Sequence, residues 1–227
     1  MVQERMVVLA NSKKLGGYCI AGKVLDNVGH VGSWMRPITA TVEDGLPMHR
    51  ILCNDGLQAA ILDVVTQDWG PAAPALHQHE NRLMGMTTLQ RCGRVSWEDI
   101  PSLADHVTST LWKNGESSRC GLNDRVSATL LPYLSGSLLL VYTYDLLIYR
   151  ITAYEGKIKY RADFSIGTQH YNLALTDGVA ISWLANNRCL ALPDAFVCIS
   201  LAVPFVDGFA YKLVAAVITK QRAEISI

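Results

Sequence analysis

The stretch from Ser137 to the C-terminus constrains the fold most, because it predicts five strands with one short helix between the third and the fourth. The first strand is expected over Ser137–Ile151, a run too continuously apolar for a strand that is exposed on one face. The second, Lys157–Phe164, alternates strictly between charged and apolar residues, as a half-buried strand does. The remaining strands are expected over His170–Thr176, Ala195–Val203 and Ala210–Ile218.

A short helix and three turns complete this pattern. Asp177 is placed to cap a helix over Val179–Asn186, since its carboxylate can accept a free backbone N–H there. Turns are expected at Glu155-Gly156, Gly167 and Asp207-Gly208. Five strands with a helix after the third are typical of the OB-fold, a small Greek-key barrel that binds oligonucleotides or oligosaccharides on one face. Such a fold alone does not fix a function.

The first half of the chain is less regular, but it also predicts strands, over Met6–Asn11, Gly17–Val24, Trp34–Ile38 and Leu57–Val65. Its strongest helical stretch is Val95–Trp112, in which Ser102 can act as a cap and apolar residues recur at helical spacing.

We therefore predict a mainly β protein with minor α content, built from two OB-like Greek-key barrels packed in one compact unit. An N-terminal OB-like β domain with a helical insertion is expected over residues 1–115, and a C-terminal OB-fold domain over residues 116–227. The division is placed there because Gly115–Asn123 is polar and loop-like. With half of its 227 residues hydrophobic, the chain can build a sizeable core.

Composition narrows the classes of function. Lys plus Arg and Asp plus Glu number 20 each, so the formal net charge is zero, which disfavours a protein that coats long nucleic acids through bulk charge. The six cysteines contain no C-x-x-C pair, which favours free thiols in a reducing cytoplasm. The N-terminus has no signal-peptide pattern and the apolar runs are too short to span a bilayer, so we expect a soluble cytoplasmic protein outside the membrane.

Two motifs that suggest other chemistry have simpler explanations. The run Gly17–Lys23 fits G-x-x-x-x-G-K, but Val24 stands where a P-loop needs Ser or Thr to hold magnesium. A strand flanked by glycines explains that run better. His77 and His79 lie close to Glu80 without a third ligand nearby, so we expect a polar loop there, with no metal and no cofactor.

Charged and aromatic residues suggest a ligand surface in two places. Lys157–Phe164 supplies both types on opposite faces, so its aromatic rings either fill the barrel or take part in binding. Trp34 and Arg36, together with the polar run Asn11–Lys14 near Gly16-Gly17, favour a pocket for a polyanion or a nucleotide.

Several strings in the chain resemble the dual OB-containing domain proteins of bacteria. They are Leu9–Lys14, Gly16–Gly22, Trp34–Ile38, Gln78 with Glu80 and Asn81, Tyr171–Asp177, Ser200-Leu201 and Tyr211–Ala215. The resemblance covers nearly the whole chain. It implies two OB-like barrels and a role in handling nucleic acids or modified nucleotides in bacteria and their mobile elements.

At the positions that match this family, the resemblance implies a ligand pocket, formed by Asn11, Ser12, Lys13, Lys14, Gly17, Trp34, Arg36, Tyr171 and Asp177. The first functional hypothesis is a non-catalytic module for single-stranded nucleic acid or a nucleotide-like ligand. In it the lysines and Arg36 meet phosphate, Trp34 and Tyr171 stack on a base, and Asn11 reads a base edge.

Two alternatives stay open. One is an enzyme acting on nucleotides or modified bases, with Asp177 or His170 as acid or base and Lys13 as the phosphate anchor. No residue can be assigned as catalytic from the sequence. The other is a scaffold subunit that binds a protein partner in a larger bacterial assembly.

Overall fold

The computed structural model of the protein describes residues 4–14, 16–40, 45–152 and 156–225. These residues form two curled sheets and a few short helices, which confirms a mainly β fold with minor α content. The chain divides into two compact units, Met1–Leu103 with Ala223–Ile227 and Ala104–Arg222, which we call barrel 1 and barrel 2. The boundary expected between residues 115 and 116 concerns where two separately folding domains divide, and it stays a prediction.

Barrel 1 contains a seven-stranded sheet and a one-turn helix. The strands are β1 (Arg5–Lys14), β2 (Gly17–Leu25), β3 (Val31–Ile38), β4 (Asp63–Thr66), β5 (Trp69–Ala72), β6 (Asn81–Met84) and β7 (Gln90–Arg94), and the helix is α1 (Ile100–Leu103).

The strand pairing of barrel 1 forms a closed circuit. Strands β1, β2 and β3 are antiparallel neighbours, and β3 lies parallel to β6. Strand β6 is antiparallel to β5, which continues from β4 along the chain, and β4 pairs back onto β1. We count β4 and β5 together as a broken fourth strand, and β6 and β7 together as a fifth strand. In this numbering, neighbouring strands of the circuit follow the order 1-2-3-5-4-1, which is the order of an OB barrel.

Barrel 2 contains an eight-stranded sheet. Its elements are β8 (Arg125–Ser127), β9 (Leu138–Thr143), β10 (Leu146–Thr152), β11 (Ile158–Ile166), β12 (Gln169–Leu175), α2 (Gly178–Ser182), β13 (Cys189–Leu192), β14 (Ala195–Leu201) and β15 (Phe209–Ile218). A last helix, α3, spans Lys220–Glu224.

Barrel 2 closes by the same circuit. Strands β10, β11 and β12 are antiparallel neighbours, and β12 lies parallel to β15. Strand β15 is antiparallel to β14, and β14 to β9, which leads directly into β10. The first strand of this barrel is therefore β9 with β10, and α2 lies between the third and fourth strands, as the sequence predicted.

A segment from outside the five-stranded pattern fills a gap in barrel 2. Strands β12 and β15 pair only between the last residues of β12 and the middle of β15, Ala174 with Leu213 and Leu175 with Val214. Ahead of these pairs, Leu122 exchanges both backbone hydrogen bonds with Asn172, and β8 pairs with the start of β15. Residues 122–127, which we call the wedge, thus complete the barrel between its third and fifth strands.

The predicted alternation in the second strand of barrel 2 is confirmed from Tyr160 to Phe164, whereas Ile158, expected on the same face, is 54% exposed. Ala162 and Phe164 are fully buried in the core, and Tyr160 packs against it. Arg161 and Asp163 point away from the core, opposite Tyr149 and Asn172 of the neighbouring strands.

Two strand predictions need correction. Ser137–Ile151 is two strands, because Asp145 interrupts the run and accepts hydrogen bonds from the Thr143 hydroxyl (2.8 Å) and the Ser165 backbone N–H (2.9 Å). The strand expected over Leu57–Val65 begins only at Asp63. Leu62 has a φ of 74°, a left-handed conformation that a strand does not contain.

The helix predictions were partly wrong in length. Val95–Trp112 is helical only over a 3-10 turn, Trp97–Asp99, and α1. Beyond α1 the Asp105 N–H donates to the Leu140 carbonyl of β9, and the Asp105 carboxylate accepts from the Leu140 N–H. The periodic residue Leu111 is instead buried in the core of barrel 2. The helix after Asp177 ends at Ser182, although the predicted cap is confirmed.

The turn predictions agree with the structure where it describes them. Gly167 and Gly208 both have positive φ, 56° and 80°, at the β11–β12 and β14–β15 connections. Glu155 of the expected Glu155-Gly156 turn lies outside the described residues.

Candidate functional site

Trp34 and Arg36, which the sequence placed in one pocket, lie on one face of β3. Lys23 of β2 is directly opposite Trp34, and its ammonium lies 5.4 Å from the indole centre. Arg36 is held by Glu80: their side-chain N and O atoms are 3.0 Å apart, and both side chains are only 5% exposed. These four residues, which we call the β3 cluster, combine a partly exposed indole ring with two cations and a carboxylate that are buried. Because Arg36 is enclosed in an ion pair, the phosphate contact expected for it does not fit this geometry.

The glycine-flanked run Gly17–Lys23 lies within β2, which confirms its interpretation as a strand. Gly22 sits where the backbone of β1 comes closest, since a Cβ there would lie 1.8 Å from the Val7 carbonyl oxygen. A glycine is needed for strand packing at this position, and no phosphate cradle is required to explain it.

The other predicted residues of barrel 1 lie at the β1–β2 hairpin. Asn11, Ser12, Lys13 and Lys14 end β1, and Gly17 begins β2 opposite Lys14. The Asn11 amide donates a hydrogen bond to the Ala59 carbonyl (2.8 Å), so its N–H group is already used within the protein. Lys13 is exposed to solvent, as a phosphate-binding lysine should be.

Tyr171 of barrel 2 is a core residue. It is fully buried and its ring stacks on Phe164, with centroids 5.7 Å apart. The hydroxyl accepts hydrogen bonds from the Leu111 backbone N–H and the Asn114 amide, each at 3.0 Å. Because no ring face is exposed, the base-stacking role expected for Tyr171 does not fit this geometry.

Asp177 is also enclosed. Its buried carboxylate accepts hydrogen bonds from the N–H groups of Val179 (3.0 Å), Ala180 (3.3 Å) and Val217 (2.8 Å). It also forms an ion pair with Arg222. Asp177 therefore caps α2 and connects it to β15, and the acid–base role weighed for it does not fit.

The outer face of β10, β11 and β12 carries a polar network, of which the sequence suggested only His170 as a functional residue. The Asn172 amide donates to the Tyr149 hydroxyl (2.6 Å) and to the Asp163 carboxylate (2.7 Å). His170 Nε2 lies 2.9 Å from Asp163 Oδ1, and its Nδ1 lies 3.2 Å from the Ser165 hydroxyl. We call these five residues the barrel 2 face. The His170 side chain is 49% exposed, so part of this face is open to solvent.

One edge of the barrel 2 face is covered by the chain before the wedge. Arg161 is buried, and its Nε donates to the Asn172 side chain (2.8 Å), while a terminal nitrogen lies 3.6 Å from Asp124. Gly121 lies directly over that pair, since a Cβ there would lie 1.8 Å from Asp124 Oδ2. Arg161 is therefore a structural cation, whereas Lys157 and Lys159 of the same alternating face are exposed.

A second buried cation lies behind the wedge. Lys212 Nζ donates hydrogen bonds to the Lys113 carbonyl (2.6 Å) and the Asn114 side-chain oxygen (3.1 Å). Burial lowers the pKa of Lys212 from 10.5 to about 7, and the nearby Asp124 carboxylate opposes this with a smaller upward effect. The contacts of Tyr171 and Lys212 span tens of residues along the chain, so no local sequence pattern indicates them.

Two further observations concern ions and membranes. Among the described residues, no group of three or more His, Cys, Asp and Glu side chains is arranged to hold a metal ion. His77 is fully buried while His79 is exposed. In the described part of the chain, no helix has the length and apolar character that crossing a bilayer requires.

Two closed five-stranded circuits, each with a parallel pairing of its third and fifth strands, define a protein with two OB-folds. The family model described as the dual OB-containing domain matches residues 4–217, so the chain belongs to that family. No curated protein and no solved structure matches the chain.

Proposed function

We propose that the protein is a non-catalytic module that binds single-stranded nucleic acid or a modified nucleotide. The observation that carries this proposal is the barrel 2 face, which presents an aromatic ring, an imidazole, a hydroxyl, a carboxylate and one amide on the outer surface of the first three strands of an OB barrel. Lys159 lies on the second of these strands and Lys157 directly precedes it; both are exposed and can meet phosphate groups.

The β3 cluster gives the proposal a second, independent support. Trp34 offers a partly exposed indole with the buried Lys23 ammonium 5.4 Å from its centre, and Lys13 is exposed at the end of the β1–β2 hairpin. Stacking on an indole and contact with cations are the interactions that hold single strands without reading their sequence. The zero net charge supports a short or small ligand over a long coated strand.

We place this binding in the bacterial cytoplasm. The six cysteines are all free, which supports a reducing compartment. A protein partner within a multi-component bacterial system is compatible with the same surfaces and forms part of the proposal.

One observation favours an enzyme acting on nucleotides as the second candidate. His170 lies between the Asp163 carboxylate and the Ser165 hydroxyl, at 2.9 and 3.2 Å, and is half exposed. A carboxylate that orients an imidazole towards a hydroxyl is an arrangement that can transfer protons. Turnover of a nucleotide that His170→Ala removes would favour this candidate over a binding module.

Fluorescence anisotropy with short labelled single-stranded DNA and RNA tests the proposal. Tyr149→Ala and Lys159→Glu alter the barrel 2 face, and Trp34→Ala alters the β3 cluster. Tyr144→Ala, which removes an exposed tyrosine between β9 and β10, serves as a matched control. We expect the control to bind like the parent protein and at least one of the other three to bind more weakly. Absence of binding to oligonucleotides and to a nucleotide panel, with no ligand-induced rise in Tm, would contradict the proposal.

A further inference from the structure

The loop between β14 and β15 exposes apolar side chains. Phe205 is 59% exposed, and Val206 (107%) is at least as exposed as the same residue in an extended reference peptide. Solvent-exposed apolar side chains that lie next to each other commonly mark interaction sites. In OB barrels the loop between the fourth and fifth strands borders the ligand groove, and this loop holds that position in barrel 2.

This loop is fixed in one shape by its own hydrogen bonds. The Phe205 N–H donates to the Phe209 carbonyl (2.9 Å), and the Gly208 N–H donates to the Phe205 carbonyl (3.0 Å). The Asp207 carboxylate accepts from the Phe209 N–H and from the Tyr211 hydroxyl. The Tyr211 hydrogen bond lowers the pKa of Asp207, and the same bond raises the pKa of Tyr211, so the carboxylate form is the one that holds the loop. A ligand would therefore meet a surface that is already ordered.

The aromatic side chains at this loop are arranged with a cation. Phe205 meets Tyr211 edge to face, with centroids 5.7 Å apart and an interplanar angle of 83°. The Arg125 guanidinium carbon lies 3.9 Å from the Phe209 ring centre. Arg125 Nε is buried and has no hydrogen-bond partner among the described residues, and a terminal nitrogen lies 3.7 Å from Glu116. An exposed ring next to a stacked guanidinium is suited to a flat, aromatic, anionic ligand.

The wedge links this loop to the barrel 2 face. Arg125 belongs to the wedge, and the Asn123 side chain, two residues earlier, donates to the His170 carbonyl (3.0 Å).

We propose that Phe205, supported by Tyr211 and with Arg125 beside it, is a base-stacking subsite for single-stranded nucleic acid. The Phe205 ring stacks on one base, and Arg125 contacts the neighbouring phosphate or base. This inference rests on the proposed function and adds to it a position that the family resemblance does not include. A protein partner that docks on the same loop through apolar contacts is the competing outcome.

The experiment uses the full chain and a single-stranded oligonucleotide that carries one 2-aminopurine, whose fluorescence is quenched when it stacks on a ring. Phe205→Leu keeps an apolar side chain but removes the ring, Phe205→Tyr keeps the ring, and Val206→Ala is a control in the same loop. We expect Phe205→Leu to weaken binding roughly 5- to 100-fold and to abolish the quenching, while the other two variants behave like the parent protein. Arg125→Gln should weaken binding and reduce its salt dependence.

Three results would overturn the inference. Phe205→Leu with unchanged affinity and quenching would remove the stacking role and leave the proposed function intact. Equal losses for Phe205→Leu and Val206→Ala, without quenching in the parent protein, would assign the loop to apolar docking. A parent protein that binds no oligonucleotide would remove this inference, and one that also binds no nucleotide would remove the proposed function with it. Circular dichroism of each variant shows that the comparison is made between folded proteins.

Discussion

Lys212 and Lys113 are 99 residues apart in sequence, yet the side-chain nitrogen of the first lies 2.6 Å from the carbonyl oxygen of the second. This contact fastens the chain before the wedge to β15 and encloses an amine that is charged in water. Burial lowers the pKa of Lys212, so the titration of this amine reports how well barrel 2 is closed to water near the wedge.

The stability of the protein should therefore depend on pH through Lys212. In the folded protein the amine is neutral above about pH 7, whereas in the unfolded chain it stays protonated up to about pH 10.5. The unfolded state binds more protons in this window, so this residue makes the free energy of unfolding rise with pH there, by up to ~1.4 kcal/mol per pH unit. Urea unfolding at several pH values measures the slope. Lys212→Met should flatten it, and an unchanged slope would show that the amine is not shielded from water.

Asp177 and Arg222 should matter strongly for stability. Asp177→Ala removes the cap of α2, the acceptor for the Val217 N–H and the partner of Arg222. Loss of one member of a buried ion pair costs about 3–5 kcal/mol, and loss of a cap adds roughly 1 kcal/mol. Urea unfolding of Asp177→Ala, Arg222→Met and the double variant measures the coupling. Additive effects of the two changes would contradict a direct pair.

Tyr171→Phe should reduce stability and leave ligand binding unchanged. The variant leaves the Leu111 N–H and the Asn114 amide without their shared acceptor, at a cost of about 1–3 kcal/mol. The ring itself stays on Phe164, so the core packing is retained. Thermal unfolding measures the first effect and oligonucleotide anisotropy the second. Weaker binding with an unchanged Tm would contradict this prediction and would indicate that Tyr171 contacts the ligand.

Gly22→Ala should destabilise barrel 1 more than Gly29→Ala. A methyl group at position 22 would lie 1.8 Å from the Val7 carbonyl oxygen, so the β1–β2 pairing must shift. At Gly29 no atom lies within 4 Å of the added carbon, although the φ of +92° makes that variant mildly strained. Tm values of the two variants provide the comparison, and equal losses would show that the close approach is unimportant.

The fold could be predicted from sequence because its elements are local. The strict alternation in Lys157–Phe164, the cap at Asp177 and the turn at Asp207-Gly208 each depend on neighbouring residues, and all three agree with the structure. The break at Asp145 could not be predicted in this way. It depends on a contact with Ser165, which lies 20 residues further along the chain.

The candidate site was predictable mainly in barrel 1, although the sequence also indicated His170 and Lys157–Phe164 of barrel 2. Trp34 and Arg36 are two residues apart on a strand, and this spacing alone places them on one face. Tyr171 also lies in a regular strand, but whether its face points inward depends on contacts with Leu111 and Asn114, 60 and 57 residues away. A family motif indicates that such a position matters, and it does not distinguish a ligand contact from a core contact.

The segment that precedes the wedge determines which fragments of this chain can be prepared. A polypeptide beginning at residue 116 would retain all five OB strands of barrel 2 but would lack Leu111, Lys113 and Asn114. Its core would lose the apolar side chain of Leu111. The Tyr171 hydroxyl and the Lys212 amine would lose these hydrogen-bond partners and would have to bond to water instead. Expression of the second barrel alone should therefore begin no later than residue 104.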